Sequence, residues 1–139
     1  MQRKEMIEKL AGYFNKQAEI KVAYLFGSMA KGRAGRLSDV DIAIFIDERL
    51  ERNKRNDLQL KILSDLIALL NTDKIDIVVM NELPILMKYN IIKNGIILKD
   101  DEERAKIEAK ILSEYLDRKY YIDRHTKIAL KRIAEKGLI

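Results

Sequence analysis

Residues 24–47 read Tyr24-Leu-Phe-Gly27-Ser28-Met-Ala-Lys31-Gly-Arg33-Ala-Gly-Arg36-Leu-Ser-Asp39-Val-Asp41-Ile-Ala-Ile-Phe-Ile-Asp47, and the fold follows from how they are divided. An apolar, aromatic run reads as a strand that breaks at Gly27-Ser28. A basic loop follows, with Lys31, Arg33 and Arg36 among glycines. The chain then re-enters an apolar strand that carries Asp39 and Asp41. Side chains in a strand repeat direction every second residue, so both carboxylates leave one face, about 6–7 Å apart at their Cα atoms. Val40, Ile42 and Ile44 point the other way, into a core. Two like charges at the mouth of a buried strand are costly unless a cation neutralises them. Mg²⁺ carrying a phosphate is the simplest such cation.

The first half of the stretch is suited to that phosphate. Gly27 lets the backbone turn sharply off the strand, and the Ser28 hydroxyl can cap a following helical turn. Free N–H groups at such a turn form an anion site. Lys31 and Arg36 add positive charge to the same loop.

Gly27-Ser28, ten residues, then Asp39-x-Asp41 resembles the signature of the nucleotidyltransferase superfamily whose fold is shared with DNA polymerase beta. At average residue usage the pattern arises by chance in a chain this long with a probability on the order of 10⁻³. The resemblance implies an α/β (α+β) fold, a small mixed sheet flanked by helices. It also implies a third acid on a later strand, and Asp76, set in Lys74-Ile-Asp-Ile-Val-Val-Met80, is the acid so placed. Asp39, Asp41 and Asp76 are then the expected catalytic and metal-binding residues, holding two Mg²⁺ ions. Gly27, Ser28, Lys31 and Arg36 are the expected contacts to the phosphates of ATP. The reaction implied is transfer of AMP from ATP to a hydroxyl.

Around this centre the chain alternates regular elements. Residues 2–17 have a helical apolar stripe of Met6, Ile7, Leu10, Ala11 and Phe14. Ile20–Phe26 and Val40–Ile46 are predicted strands, and a helix is expected from about Asp47 to Leu70. Pro84 opens a short helix to about Lys93, Gly95 turns the chain, and Ile96–Leu98 is a last short strand. One long helix is expected from Asp100 to about Lys136, with Ile107, Ile111, Tyr115, Ile122, Ala129 and Ile133 in a narrow stripe. Arg118 and His125 have the spacing of the Arg…His motif of HEPN ribonucleases, but Lys119 departs from it, and His125 reads as a surface residue.

The 139 residues suit one catalytic domain, 1–100, with a C-terminal helical extension, 101–139, that packs on it and is available to dock a partner. Acceptor-binding domains of larger relatives have no counterpart here. The chain therefore resembles the minimal nucleotidyltransferases (MNT), the MntA-type antitoxins of HEPN/MNT toxin–antitoxin pairs. That resemblance implies a HEPN-type toxin as partner and a toxin tyrosine as acceptor. The alternatives are an antitoxin that acts by docking alone, or transfer to a small molecule or a nucleic-acid end.

Composition narrows the classes. Hydrophobic residues make up 47% and charged residues 35%, which excludes a disordered chain. With no cysteine, disulfides and thiolate metal sites are excluded. The +5 net charge comes from 27 basic and 22 acidic residues interleaved along helices, a solvated surface rather than a nucleic-acid stripe. No apolar run approaches a membrane span and the first residues lack a signal core. A cytoplasmic protein is expected.

Overall fold

The computed structural model describes residues 2–27 and 40–135. In chain order its elements are α1 (Arg3–Asn15), β1 (Ile20–Phe26), β2 (Val40–Ile46), α2 (Arg52–Leu70), β3 (Ile75–Val79), α3 (Ile85–Asn94), β4 (Ile96–Lys99) and α4 (Arg104–Glu135). The four strands form one sheet in the order β3-β2-β1-β4. β1 runs antiparallel to β2 and β4, while β2 and β3 are parallel. A parallel neighbour needs a crossover rather than a hairpin, and α2 supplies it.

Each face of the sheet is covered. On one face Ile42, Ile44, Ile46, Leu25, Ile75 and Ile77 meet Met6, Leu10 and Phe14 of α1 and Leu58, Ile62, Leu66 and Leu70 of α2. On the other, Val22, Tyr24 and Ala43 meet Ile85 and Ile91 of α3 and Ile111 of α4. Strands buried on both sides read as unbroken apolar runs, which is why β1 and β2 are so nearly continuous in hydrophobic residues. The expected α+β architecture, with a mixed sheet and a long C-terminal helix, is the one observed.

The starts of α2 and α4 and the end of β3 differ from expectation through polar side chains. α2 begins at Arg52 because the Asp47 carboxylate accepts the Arg49 N–H at 3.0 Å, and the Asp47 carbonyl accepts from Leu50 at 3.0 Å, closing a separate turn. α4 begins at Arg104 by the same device, with the Asp101 carboxylate accepting from the Glu103 N–H at 3.0 Å. β3 stops at Val79 because Met80–Glu82 wind into a 3₁₀ turn. There Asn81 pairs with both backbone groups of Ile46, at 2.9 and 2.8 Å, in place of a further strand residue. Among the described residues no helix is long and apolar enough to cross a membrane.

Candidate active site

The site forms at one end of the sheet, where β1 finishes and β2 and β3 start. Phe26, Asp41 and Asp76 lie in one row across three strands, Phe26 partnering Asp41 and Asp41 partnering Asp76. Asp41 and Asp76 are thus Cα partners on adjacent parallel strands, about 4.8 Å apart. Their parity is that of Ala43 and Val78, so both carboxylates stand on the face covered by α3 and α4. Asp41 is half-buried and Asp76 exposed. Like charges directly opposite each other weaken a sheet.

Gly27 completes the described part of the site. Its φ of 72° lies in the left-handed region, and a Cβ there would overlap the Asp41 carboxylate. Two independent constraints therefore demand glycine. The backbone at Gly27, where β1 ends, thus lies directly against the side chain of Asp41.

Of the residues singled out from sequence, the structure brings together Gly27, Asp41 and Asp76. Ser28, Lys31, Arg36 and Asp39 lie outside the described residues. The backbone just beyond them is held: the Val40 N–H donates to the Lys74 carbonyl at 2.8 Å, one residue before the β2–β3 register proper. Among the described residues there is no cluster of three or more metal-ligating side chains. Asp41 and Asp76 are a pair of hard oxygen donors. Such a donor set suits Mg²⁺ and not a soft metal, and it leaves a place in the ligand set for a third carboxylate.

Several residues that sequence reading passed over tie the surrounding elements together. Tyr24, buried beneath α4, donates to Glu108 at 2.7 Å, and Arg104 grips both Glu108 at 3.0 Å and Asp100 at 2.8 Å. Burial first, and then the Glu108 carboxylate, push the Tyr24 hydroxyl far above the ordinary tyrosine range, so it stays a donor. The spacing of Arg104 and Glu108, four apart on a helix, was the available signal for half of this chain of contacts. On the opposite face Tyr13 donates to Asp65 at 2.6 Å and ties α1 to α2. At the far end of the sheet hydrogen bonds from Arg49 hold the Asp47 carboxyl well below the usual carboxylate range. A cavity of about 330 Å³ opens beside it, over Phe45, Ile107 and Ile111. It lies at the end remote from Asp41 and Asp76 and mixes both signs of charge.

A family model described as polymerase beta, nucleotidyltransferase matches residues 8–104. Among curated proteins no sequence relative matches. Solved structures do. A chain of the crystal structure of a toxin–antitoxin with AMP-PNP is 23% identical, with a TM-score of 0.59 over 91% of this chain and 99% of that one. A chain from a mutant of the MntA-HpeT toxin–antitoxin is 22% identical, with a TM-score of 0.58 over 91% and 99%. A chain from the tri-AMPylated Shewanella oneidensis HEPN toxin in complex with MNT antitoxin is 20% identical, with a TM-score of 0.57 over 90% and 99%. At these identities the likeness is one of fold.

Proposed function

The chain belongs to the polymerase beta nucleotidyltransferase family, and on that premise we propose that it transfers AMP from ATP to a tyrosine of a partner HEPN toxin, acting as the antitoxin. The in-register pair Asp41 and Asp76, with the Gly27 backbone against Asp41, is the observation that carries this reading. Similar folds in complexes described as a toxin–antitoxin with AMP-PNP and as an AMPylated HEPN toxin with MNT antitoxin support it.

Asp39, Asp41 and Asp76 would hold Mg²⁺, two ions in the full site. Bound there, the metal supplies charge neutralisation on the triphosphate and on the departing pyrophosphate. The turn at Gly27, with the Ser28 hydroxyl, holds the β- and γ-phosphates, and Lys31 and Arg36 offset charge that develops on them. Asp76, on the exposed side of the pair, orients the acceptor hydroxyl and takes its proton. The tyrosine oxygen bonds to the α-phosphorus as the bond to pyrophosphate breaks, giving an AMP-tyrosine and free pyrophosphate. A charged, bulky group on the toxin then obstructs its RNA site.

In this reading residues 1–100 are the catalytic domain and 101–139 its extension, and the reaction runs in the cytoplasm, where ATP and Mg²⁺ are at hand. The test is the intact mass of the HEPN protein encoded beside this chain, after incubation with the chain, ATP and Mg²⁺. A gain of one AMP group, absent with the Asp39→Asn/Asp41→Asn variant, is expected. A toxin silenced at unchanged mass, and equally by that variant, would leave inhibition by docking alone.

A further inference from the structure

α4 is tied to the body only over its first half. Glu108 accepts from Tyr24, Ile111 is buried, and Tyr115 stacks on Tyr89 of α3 with ring centroids 3.7 Å apart. From residue 116 to 132 every position is exposed. A solitary helix of that length is marginal in water, and this one displays Leu116, Tyr120, Tyr121, Ile122, Ile128 and Leu130 to solvent. Large apolar side chains left in water along one helix half suit an interaction site.

The root of the free half is shaped as well as apolar. A cleft of about 200 Å³ opens between α3 and α4, lined by the apolar Ile85, Leu86, Tyr115 and Ile122 and by the charged Arg118, Lys119 and Asp123. Leu86 on the α3 side is itself 57% exposed. Over residues 116–135 six cations stand against three acids. A second copy of the chain would set two such net-basic helix halves against each other, which like-charge juxtaposition disfavours. An occupant that carries both apolar and acidic groups satisfies both features.

We infer that the outer half of α4 and the cleft at its root are the docking surface for the partner protein. The partner presents there an apolar side chain flanked by carboxylates that meet Arg118 and Lys119. This rests on the AMP-transfer reading for the partner's identity, but not on its chemistry. The cleft lies at Ile85, past the C-terminal end of β3, whereas Asp76 sits near the start of that strand. The cleft contains neither Asp41 nor Asp76, so either can be altered without the other.

The test uses the full chain and the HEPN protein encoded beside it. Leu86→Glu/Ile122→Glu places charge in the cleft, and Arg118→Glu/Lys119→Glu reverses its cations, all at surface positions. Affinity for the HEPN protein by titration calorimetry should fall at least tenfold in each variant, while MgATP affinity, which also reports folding, stays unchanged. Wild-type binding should weaken between 0.05 and about 0.5 M salt, as a charge-steered interface does. Wild-type affinity in both variants would overturn the docking surface, even if AMP transfer is observed. Loss of binding in the variants with no transfer by any form would uphold it and sink the transfer reading. Light scattering that shows a dimer dissociated by the same substitutions, or RNA binding lost with them, would overturn the inference in favour of those occupants.

Discussion

The Asp41–Asp76 pair makes a prediction that ordinary catalytic residues do not: removing one charge should make the protein more stable. The two carboxylates stand on neighbouring strands at one register position. Across about 5 Å, near solvent, two unit charges repel by about 1 kcal/mol. Asp76 is exposed, so Asp76→Asn removes the repulsion without opening a cavity. In a domain of this size about 1 kcal/mol corresponds to about 3 °C in melting temperature. At low salt without divalent cation, Asp76→Asn should therefore melt about 3 °C above the parent by scanning calorimetry. At 1 M salt, where the screening length falls to about 3 Å, most of that difference should vanish. In the same variant transfer of AMP should drop by orders of magnitude while MgATP still binds, the signature of an interaction made in the transition state. A variant that melts at or below the parent at low salt would refute the charge-pair argument. One that transfers AMP at the parental rate would make Asp76 structural.

Other perturbations test separate joints of the structure. Asp41→Asn should weaken MgATP binding at least tenfold, about 1.4 kcal/mol, in a calorimetric titration. Gly27→Ala forces a side chain into a left-handed position that already costs about 1–2 kcal/mol and pushes on Asp41; it should fold, by circular dichroism, yet lose MgATP affinity. Asn81→Ala strips both backbone groups of Ile46 of their partner and should cost about 1–3 kcal/mol in urea unfolding, with nucleotide binding intact. Tyr13 and Tyr24 are both raised above the ordinary value of 10.0, by burial first and then by Asp65 and Glu108 respectively. A raised folded pKa gives stability that is fully present below the unfolded value and is lost as pH climbs above it. Stability should therefore fall above pH 10, and Tyr13→Phe/Tyr24→Phe should flatten that fall while lowering stability at neutral pH.

What could be read without coordinates was what is local in the chain. β1 and β2 fall at Ile20–Phe26 and Val40–Ile46, as the apolar runs and the Gly27 break imply. Apolar patterning also finds each α-helix among the described residues, since burial of one face is written at a spacing of three and four residues. It fails at Asp47 and Asp101, where a short side chain captures a nearby backbone N–H and delays the helix by several residues. Contacts such as Tyr24 with Glu108, 84 residues apart, leave no local trace at all, because either residue would be equally at home on a solvated surface.

The acid pair stands between these extremes. Alternation assigns Asp41 and Asp76 each to a face, but their meeting depends on a parallel register set by the α2 crossover, and one residue of slip would send one of them to the opposite face. Burial of Ile42, Ile44, Ile75 and Ile77 on the other face fixes that register, at the cost of two like charges facing each other across it. A conflict between local preference and global fold that persists in a structure is expected where function demands it. Gly27 carries the same argument in backbone form. Freedom of φ would explain a glycine at many turns, but here the Asp41 carboxylate occupies the space of a Cβ, so the turn and the acid constrain each other. That coupling is a reason to look for one ligand spanning both, a phosphate at the turn and its cation at the pair.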